Sequence, residues 1–424
     1  MTTPTSLRLF PGGPHGPDPT RYLDLPGRGN YFLGVLVGDF NRDGWLDLLG
    51  VAYTYDDKPE TMAHSSVLYY GSPDGFSPER SVVVPTYTSG LGHTADVNND
   101  GWLDFIWGDR NRHLAIYLGG PEGFSPDRMW KIPMPDGIEG WAGMINSADL
   151  NGNGYLDLIV AIMGHYERVQ CGFLILHGSP EGYHPDRSTF HASEASNVFV
   201  GVTDVNNNGH LDLLAPAYST QFSRELPAHL YWGDGTSFDW ENPLVIPCNA
   251  SCAFMTVDIT RNGYRDVLAV CHRDDLGHQV DSLLFWNGPE GLSLDRVARI
   301  PGMGPHLCST RDFGNGHTRE PVERYVSPPY ALNGKYPTSI AWKAEVPDRT
   351  DLKFELRWAA TDSELENEPW RGPKGEGTFY ERPGTTVTGV DSGSAWLQYR
   401  ATFHSPDGCR SPKLTCVDIE LATR

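Results

Sequence analysis

No stretch of this chain approaches the ~20 consecutive apolar residues that cross a bilayer; the longest, around Leu156–Met163, is strand length. No transmembrane segment is expected. Positive charge is scarce: 33 Lys and Arg stand against 54 Asp and Glu, a formal net charge of −21. Nucleic-acid phosphates are repelled by such a surface, so no nucleic-acid partner is expected and cations are favoured. Helical periodicity is missing as well. Seven cysteines occur but none in a C-x-x-C pair, which argues against a zinc ribbon and allows three disulfides at most. Cys409 and Cys416 suit a pairing across a hairpin and Cys248 lies near Cys252, with free buried thiols as the alternative. Met1-Thr-Thr-Pro-Thr-Ser lacks the basic region and apolar stretch of a signal peptide, which leaves a cytoplasmic chain or one whose leader has been removed. There is no nucleophile elbow, no P-loop, no dinucleotide fingerprint and no sialidase-type Ser-x-Asp-x-Gly-x-x-Trp turn.

What the chain has is a repeat. Asp39-Phe-Asn-Arg-Asp-Gly-Trp-Leu-Asp47 returns at Asp96–Asp104, Asp149–Asp157, Asp204–Asp212 and Asp258–Asp266, with starts 57, 53, 55 and 54 residues apart. A sixth start at Asp312 loses the pattern, with Gly314 and Gly316 at ligand positions. A period in the low fifties is too long for helical solenoids and suits a four-stranded unit. An apolar run precedes each loop (Phe32–Val37, Val198–Val202) and another follows it (Leu46–Val51, Leu103–Trp107, Leu156–Ile162). A third run, rich in aromatics, ends in Gly; a Pro-Asp/Glu-Gly turn and a short fourth strand come next. The reading is an all-β, six-bladed β-propeller over residues 1–326. Strands near Leu7–Phe10 and Arg21–Pro26 complete the last blade, with a sixth repeat from about His306 to Tyr325 supplying its first strand. From residue 327 to 424 strongly alternating segments such as Leu352–Trp358 and Leu414–Leu421 predict a small β-sandwich, and Thr361–Glu366 is its one short helix.

The loop D-x-N-x-D-G-x-x-D matches the first half of a calcium loop, whose cation needs about six to eight oxygens at about 2.3–2.6 Å. The expected ligands are Asp39, Asn41, Asp43, the carbonyl of Trp45 and Asp47; then Asp96, Asn98, Asp100, Trp102 and Asp104. The third and fourth sets are Asp149, Asn151, Asn153, Tyr155, Asp157 and Asp204, Asn206, Asn208, His210, Asp212. A fifth, weaker set is Asp258, Thr260, Asn262, Tyr264 and Asp266. Ordinary Asx turns also use Asp, Asn and Gly, but five loops in phase at one period are not chance. The metal is expected to be structural Ca2+, with four strong sites and a fifth weaker one. The millimolar calcium such sites need implies an extracellular, cell-surface or periplasmic setting.

These strands and loops resemble the FG-GAP/VCBS repeats of integrin-α-type β-propellers over roughly residues 30–316. The resemblance implies calcium-loaded blades and extracellular recognition of proteins or glycans. Its relatives include lectins, adhesins and polysaccharide-degrading enzymes. In an up-and-down blade the loops opposite the acidic ones are the irregular ones here. There Tyr55, Trp141 and Tyr218 are expected to stack on sugar faces, and Arg110, Arg168, Arg224 and Arg273 to hold carboxylate or sulfate. The first function class is therefore a calcium-stabilised lectin or adhesin module for a glycan or glycoprotein. The second is a polysaccharide lyase on an acidic glycan, with His165, Tyr166, Arg168, His272 and Arg273 as candidate catalytic groups.

Overall fold

The structure, a computed structural model, describes residues 2–3, 6–13, 16–27, 32–52, 65–86, 91–109, 112–164, 171–260, 262–305, 321–347, 349–405 and 411–423. The chain divides into two compact units, Met1–His317 and Thr318–Arg424. It is all-β, and among the described residues there is no α-helix.

The first unit opens with a three-stranded sheet: β1 (Thr2–Thr3), β2 (Ser6–Leu9) and β3 (Leu23–Pro26). Five antiparallel four-stranded sheets follow, each built in chain order. The first holds β4 (Phe32–Gly38), β5 (Asp47–Ala52), β6 (Ser65–Tyr69) and β7 (Ser81–Pro85). The second holds β8 (His93–Ala95), β9 (Asp104–Gly108), β10 (His113–Tyr117) and β11 (Met129–Pro133). The third holds β12 (Trp141–Ala148), β13 (Asp157–Met163), β14 (Cys171–Leu176) and β15 (Ser188–Ser193). The fourth holds β16 (Gly201–Thr203), β17 (Asp212–Ala215), β18 (Ala228–Tyr231) and β19 (Leu244–Ile246). The fifth holds β20 (Ser251–Val257), β21 (Asp266–Cys271), β22 (Ser282–Phe285) and β23 (Val297–Ile300).

The cores of this unit lie between neighbouring sheets, and the pleat explains why the middle strands read as unbroken apolar runs. Side chains alternate across a strand. On β13, Leu158, Val160 and Ile162 pack with the second sheet, whereas Ile159 and Ala161 pack with the fourth. Neighbouring β14 divides the same way, Leu174 and Leu176 to one side, Phe173 and Ile175 to the other. A strand covered on both faces has no polar face to alternate with, and each fully buried Leu or Ile stabilises by roughly 1.5–3 kcal/mol. First strands adjoin one another in order: β4 beside β8, β8 beside β12, β12 beside β16 and β16 beside β20, with β1 and β2 beside β4.

The second unit holds β24 (Val322–Val326), β25 (Tyr330–Ala331), β26 (Lys335–Glu345), β27 (Asp351–Ala359), β28 (Arg371–Gly372), β29 (Gly375–Glu376), β30 (Thr385–Thr386), β31 (Trp396–His404) and β32 (Lys413–Thr423). Its sheets, β24-β31-β27-β28-β29 and β30-β26-β32, share one core in which Trp342 meets Phe354 at 4.4 Å between ring centres.

Three expectations are corrected. The unit boundary falls after residue 317 rather than 326, because Val322–Val326 pairs along its whole length with β31 (Val322 opposite His404, Val326 opposite Arg400). Those residues therefore belong to the second unit and not to a sixth repeat. The short helix at 361–366 is a single 3-10 turn at Leu365–Asn367, and a second such turn stands at Pro126–Arg128. Cys248 and Cys252 do not pair: both are buried free thiols, as are Cys171 and Cys271. The Cys252 thiol donates to the carbonyls of Pro305 (3.1 Å) and Val270 (3.6 Å), while Cys248 reaches Ser251 Oγ at 3.5 Å. Cys416 is also a free thiol; Cys308 and Cys409 lie outside the described residues.

Candidate functional site

The acidic loops connect the first and second strands of all five sheets and repeat one hydrogen-bond pattern. In the first, the amide of Asp43 donates to Asp39 Oδ1 and to Asn41 Oδ1, both at 3.1 Å. The Gly44 amide donates to Asp39 Oδ2 (3.0 Å) and the Trp45 amide to Asp43 Oδ1 (2.9 Å). The same bonds recur around Asp96, Asp149 and Asp204. The fifth loop keeps those to Asp258 and Asn262. The sixth position needs glycine because its φ is left-handed: 89° at Gly44, 87° at Gly101, 85° at Gly154.

The fourth position, passed over in the sequence reading, is left-handed too: 58° at Arg42, 64° at Asn99, 69° at Gly152 and 57° at Asn207. In the first, second and fourth loops its side chain ties the loop to the next sheet. Asn99 Nδ2 donates to the carbonyl of Gly154 (3.1 Å), Asn207 Nδ2 to that of Gly263 (2.7 Å), and the Arg42 guanidinium lies over the Trp102 ring at 5.1 Å. The Asn residues at this position were the available signal, since Asn tolerates this conformation.

The ninth-position carboxylates (Asp47, Asp104, Asp157, Asp212, Asp266) are fully buried. Each accepts two backbone N–H bonds, one from the second residue of its own loop and one from the residue two past the end of the third strand. For Asp104 these come from Val97 (2.7 Å) and Gly119 (2.8 Å); for Asp47, from Phe40 (2.8 Å) and Gly71 (2.9 Å). The other three repeat the pattern with Leu150 and Gly178, Val205 and Gly233, and Ile259 and Asn287. These carboxylates, expected as cation ligands, also clip the acidic loop to the turn between strands three and four. A Cβ on Gly119 would stand 2.2 Å from the Leu103 carbonyl oxygen, so the clip fits a bare backbone at that turn.

Burial pushes the carboxyls of Asp47 and Asp104 from the ordinary 3.8 up to about 7, against the pull of their backbone donors; the nearby loop carboxylates push the same way. Burial raises Asp157 and Asp212 too. A carboxyl raised in the folded state contributes stability below its unfolded pKa and loses it as pH climbs to the folded one. In chelator, the stability of Asp47→Asn relative to the parent is therefore expected to rise between pH 4 and 7, by up to about 4 kcal/mol in urea titrations, on top of a pH-independent loss from the amide that its Nδ2 cannot accept. A difference independent of pH would refute this.

Among the described residues no three His, Cys, Asp or Glu side chains converge on one metal position. What converges in each loop is mixed: Oδ1 of Asp39 and Oδ1 of Asn41 share one amide donor, and Asn41 Nδ2 donates to Asp43 Oδ2 at 2.8 Å. Carboxylate, amide and carbonyl oxygens without sulfur or imidazole are the donor set of a hard divalent cation, and accepted N–H bonds leave further lone pairs on each oxygen. In the fifth loop burial lowers the Arg265 guanidinium below its ordinary range, with the nearby Asp204 and Asp258 carboxylates pulling the other way. The other repeats have Leu at this position (Leu46, Leu103, Leu156, Leu211).

At the opposite strand ends, three of the sequence candidates come together. Tyr218 is buried, with the His272 ring stacked on it (5.7 Å, 21°) and the Arg224 guanidinium over it at 4.4 Å. His272 is buried as well; its Nδ1 donates to the Gly304 carbonyl at 2.9 Å, the position of a structural histidine. The Arg224 amide donates to Asp275 Oδ1 (2.6 Å), and Arg273 Nε donates to the Asp274 carbonyl (3.3 Å). Trp141 begins β12, half-buried and opposite Met163. Tyr55, Arg110, His165, Tyr166, Arg168 and His306 lie outside the described residues.

Residues 96–160 match the family model of the FG-GAP-like repeat, so this stretch, second acidic loop to β13, is an FG-GAP-like repeat. The resemblance read from the sequence holds there. No curated protein matches the chain. Among solved structures, the chain is similar to the Vibrio cholerae biofilm matrix protein Bap1, at 11% identity over 94% of this chain and 70% of that one, TM-score 0.39. It is also similar to BBS1N in complex with ARL6DN, at 10% identity over 65% and 91%, TM-score 0.33. A lead-soaked crystal of that complex gives 11% over 65% and 92%, TM-score 0.30. No described helix is long and apolar enough to cross a membrane.

Proposed function

We propose that the first unit is a closed six-bladed β-propeller whose acidic loops hold calcium, and that it acts outside the cell as a carbohydrate-recognition module. One repeated contact supports the blade count above all. The Tyr117 hydroxyl, on the third strand of the second sheet, donates to the Pro85 carbonyl at the end of the first sheet's fourth strand (2.8 Å). Tyr69, at the same place one sheet earlier, donates to the carbonyl of Pro26 at the end of β3. The N-terminal strands thus meet the first sheet as the first meets the second, as third and fourth strands of a sixth blade would. Residues 306–320 lie outside the described ones.

Calcium would be held by Asp39, Asn41, Asp43, the Trp45 carbonyl and Asp47, and by the matching residues of the next three loops, with Asp258, Thr260, Asn262, the Tyr264 carbonyl and Asp266 as a weaker fifth. The ion would neutralise carboxylates that otherwise repel. A carbohydrate ligand suits the aromatic and arginine side chains gathered at the far strand ends, where Arg273 and Trp141 are only half-buried. The test is a glycan array probed with the whole chain in calcium and in chelator. Calcium-dependent binding to one glycan class, weakened by Arg273→Ala, is expected. An array without binding refutes the module, and unsaturated product absorbing in the ultraviolet after incubation with uronate polysaccharides would favour a lyase instead.

A further inference from the structure

The internal repeat supplies its own reference: a feature that departs from the other sheets is free of the shared structural duties. Four departures meet at one place, the crevice between the third and fourth sheets at the acidic-loop end. The fourth position of the third loop is Gly152, with open space where a Cβ would stand, so no side chain is there to tie this loop to the next as Arg42, Asn99 and Asn207 do. The residue just after the third strand is Tyr70, Leu118, Trp232 and Trp286 in four sheets but His177 here. Loop position seven is Trp45, Trp102, Tyr155 and Tyr264 elsewhere but His210 in the fourth loop. Finally, the Pro-Asp/Glu-Gly turn of the other sheets is replaced by Asp234-Gly-Thr-Ser237. That turn is closed by Asp234 Oδ1, which accepts from the amides of Thr236 and Ser237, both at 2.8 Å.

The result is a cavity of about 290 Å³. Its apolar side is Ile175, Leu211, Phe238 and Trp240. Trp240 is held by His191 stacked on it at 4.1 Å and 15°, and by Tyr231 at 4.9 Å. Its polar side includes His177, whose Nε2 lies 3.2 Å from Thr189 Oγ1, together with His210, Ser237 and Asn151. The corresponding crevice between the first and second sheets, about 230 Å³, is bounded by Gly119–Phe124 and has no histidine. Between the second and third sheets the Trp130 ring lies against Gly182.

We infer that this crevice is a binding site for a single neutral sugar ring, resting on the carbohydrate reading above but placed at the opposite end of the sheets. A rigid aromatic wall accepts the apolar face of a pyranose, and hydroxyl, amide and imidazole groups supply both donors and acceptors for its hydroxyls. No Lys or Arg lines the cavity, so a uronate carboxylate or a sulfate finds no cationic side chain there.

The test titrates the whole chain, in calcium, with the methyl glycosides of glucose, galactose, mannose, N-acetylglucosamine and glucuronate, read by saturation-transfer NMR and tryptophan fluorescence. Binding of a neutral glycoside that weakens at least tenfold in Ser237→Trp, with an unchanged circular dichroism spectrum, is expected. Ser237 is exposed, so that variant blocks the mouth without entering the core. His177→Gln, on the other wall, is the second variant and is expected to weaken the same glycoside about tenfold, the equivalent of one good hydrogen bond. Neutral-glycan binding that survives in Ser237→Trp overturns the crevice and leaves the carbohydrate reading standing. Binding of glucuronate alone also overturns the inference, and a chain that binds no glycan at all takes both down.

Discussion

Asp104→Ala is expected to cost about 3–5 kcal/mol in a urea titration run in chelator, enough to unfold a unit whose whole stability is about 5–15 kcal/mol. Asp104 is fully buried, and truncation strands the amides of Val97 and Gly119 with no oxygen in reach. Each buried unsatisfied donor costs about 1–3 kcal/mol, and the cavity adds to it. Asp149→Ala is the control. Its carboxylate also accepts two amides, from Asn153 and Gly154, but these lie in the exposed loop, where water replaces the lost acceptor. In chelator it is expected to lose about 1 kcal/mol or less. Equal losses in the two variants would show that the ninth-position carboxylate is not the clip described above.

Calcium is expected to narrow that gap. With a dissociation constant near 10⁻⁴ M, millimolar calcium stabilises by roughly 1.4 kcal/mol per site, so five sites contribute about 7 kcal/mol. For a unit of this size that is a rise in melting temperature of the order of 15 °C over a chelated sample. Asp96→Ala and Asp149→Ala are each expected to remove part of that rise. Magnesium, which demands a tight octahedron and sheds water reluctantly, is expected to give much less of it. An identical melting temperature in calcium and chelator would remove the metal from this account.

Much of this fold is legible in the chain because its signals are local. Each acidic loop spans nine residues, and its turn is written by Asp, Asn and Gly at set positions. The middle strands announce themselves by unbroken apolar runs, since both their faces are covered. The second-unit strands alternate, and the observed β27 and β32 extend the expected segments by one or two residues at each end. Local signals also mislead. Val322–Val326 has the composition of a propeller strand, yet its partner is β31, some eighty residues onward. Likewise Tyr218, Arg224 and His272 carry the chemistry of a ligand site but spend it largely on one another and on the backbone.

The ninth-position aspartate marks the dividing line. Its place in the loop, and the need for a carboxylate there, follow from the chain alone. Its job depends on an amide 24 residues away at Gly71 or 15 away at Gly119, brought back by a hairpin whose length no loop motif records. The crevice beside Trp240 is of the same kind. Sequence determined the period, the strands and the acidic turns, because those interactions reach fewer than ten residues along the chain. Which of those groups turn inward as clips, and which adjoining sheets leave room for a ligand, only the packing of one sheet on the next decided, since that depends on contacts between residues a whole repeat apart.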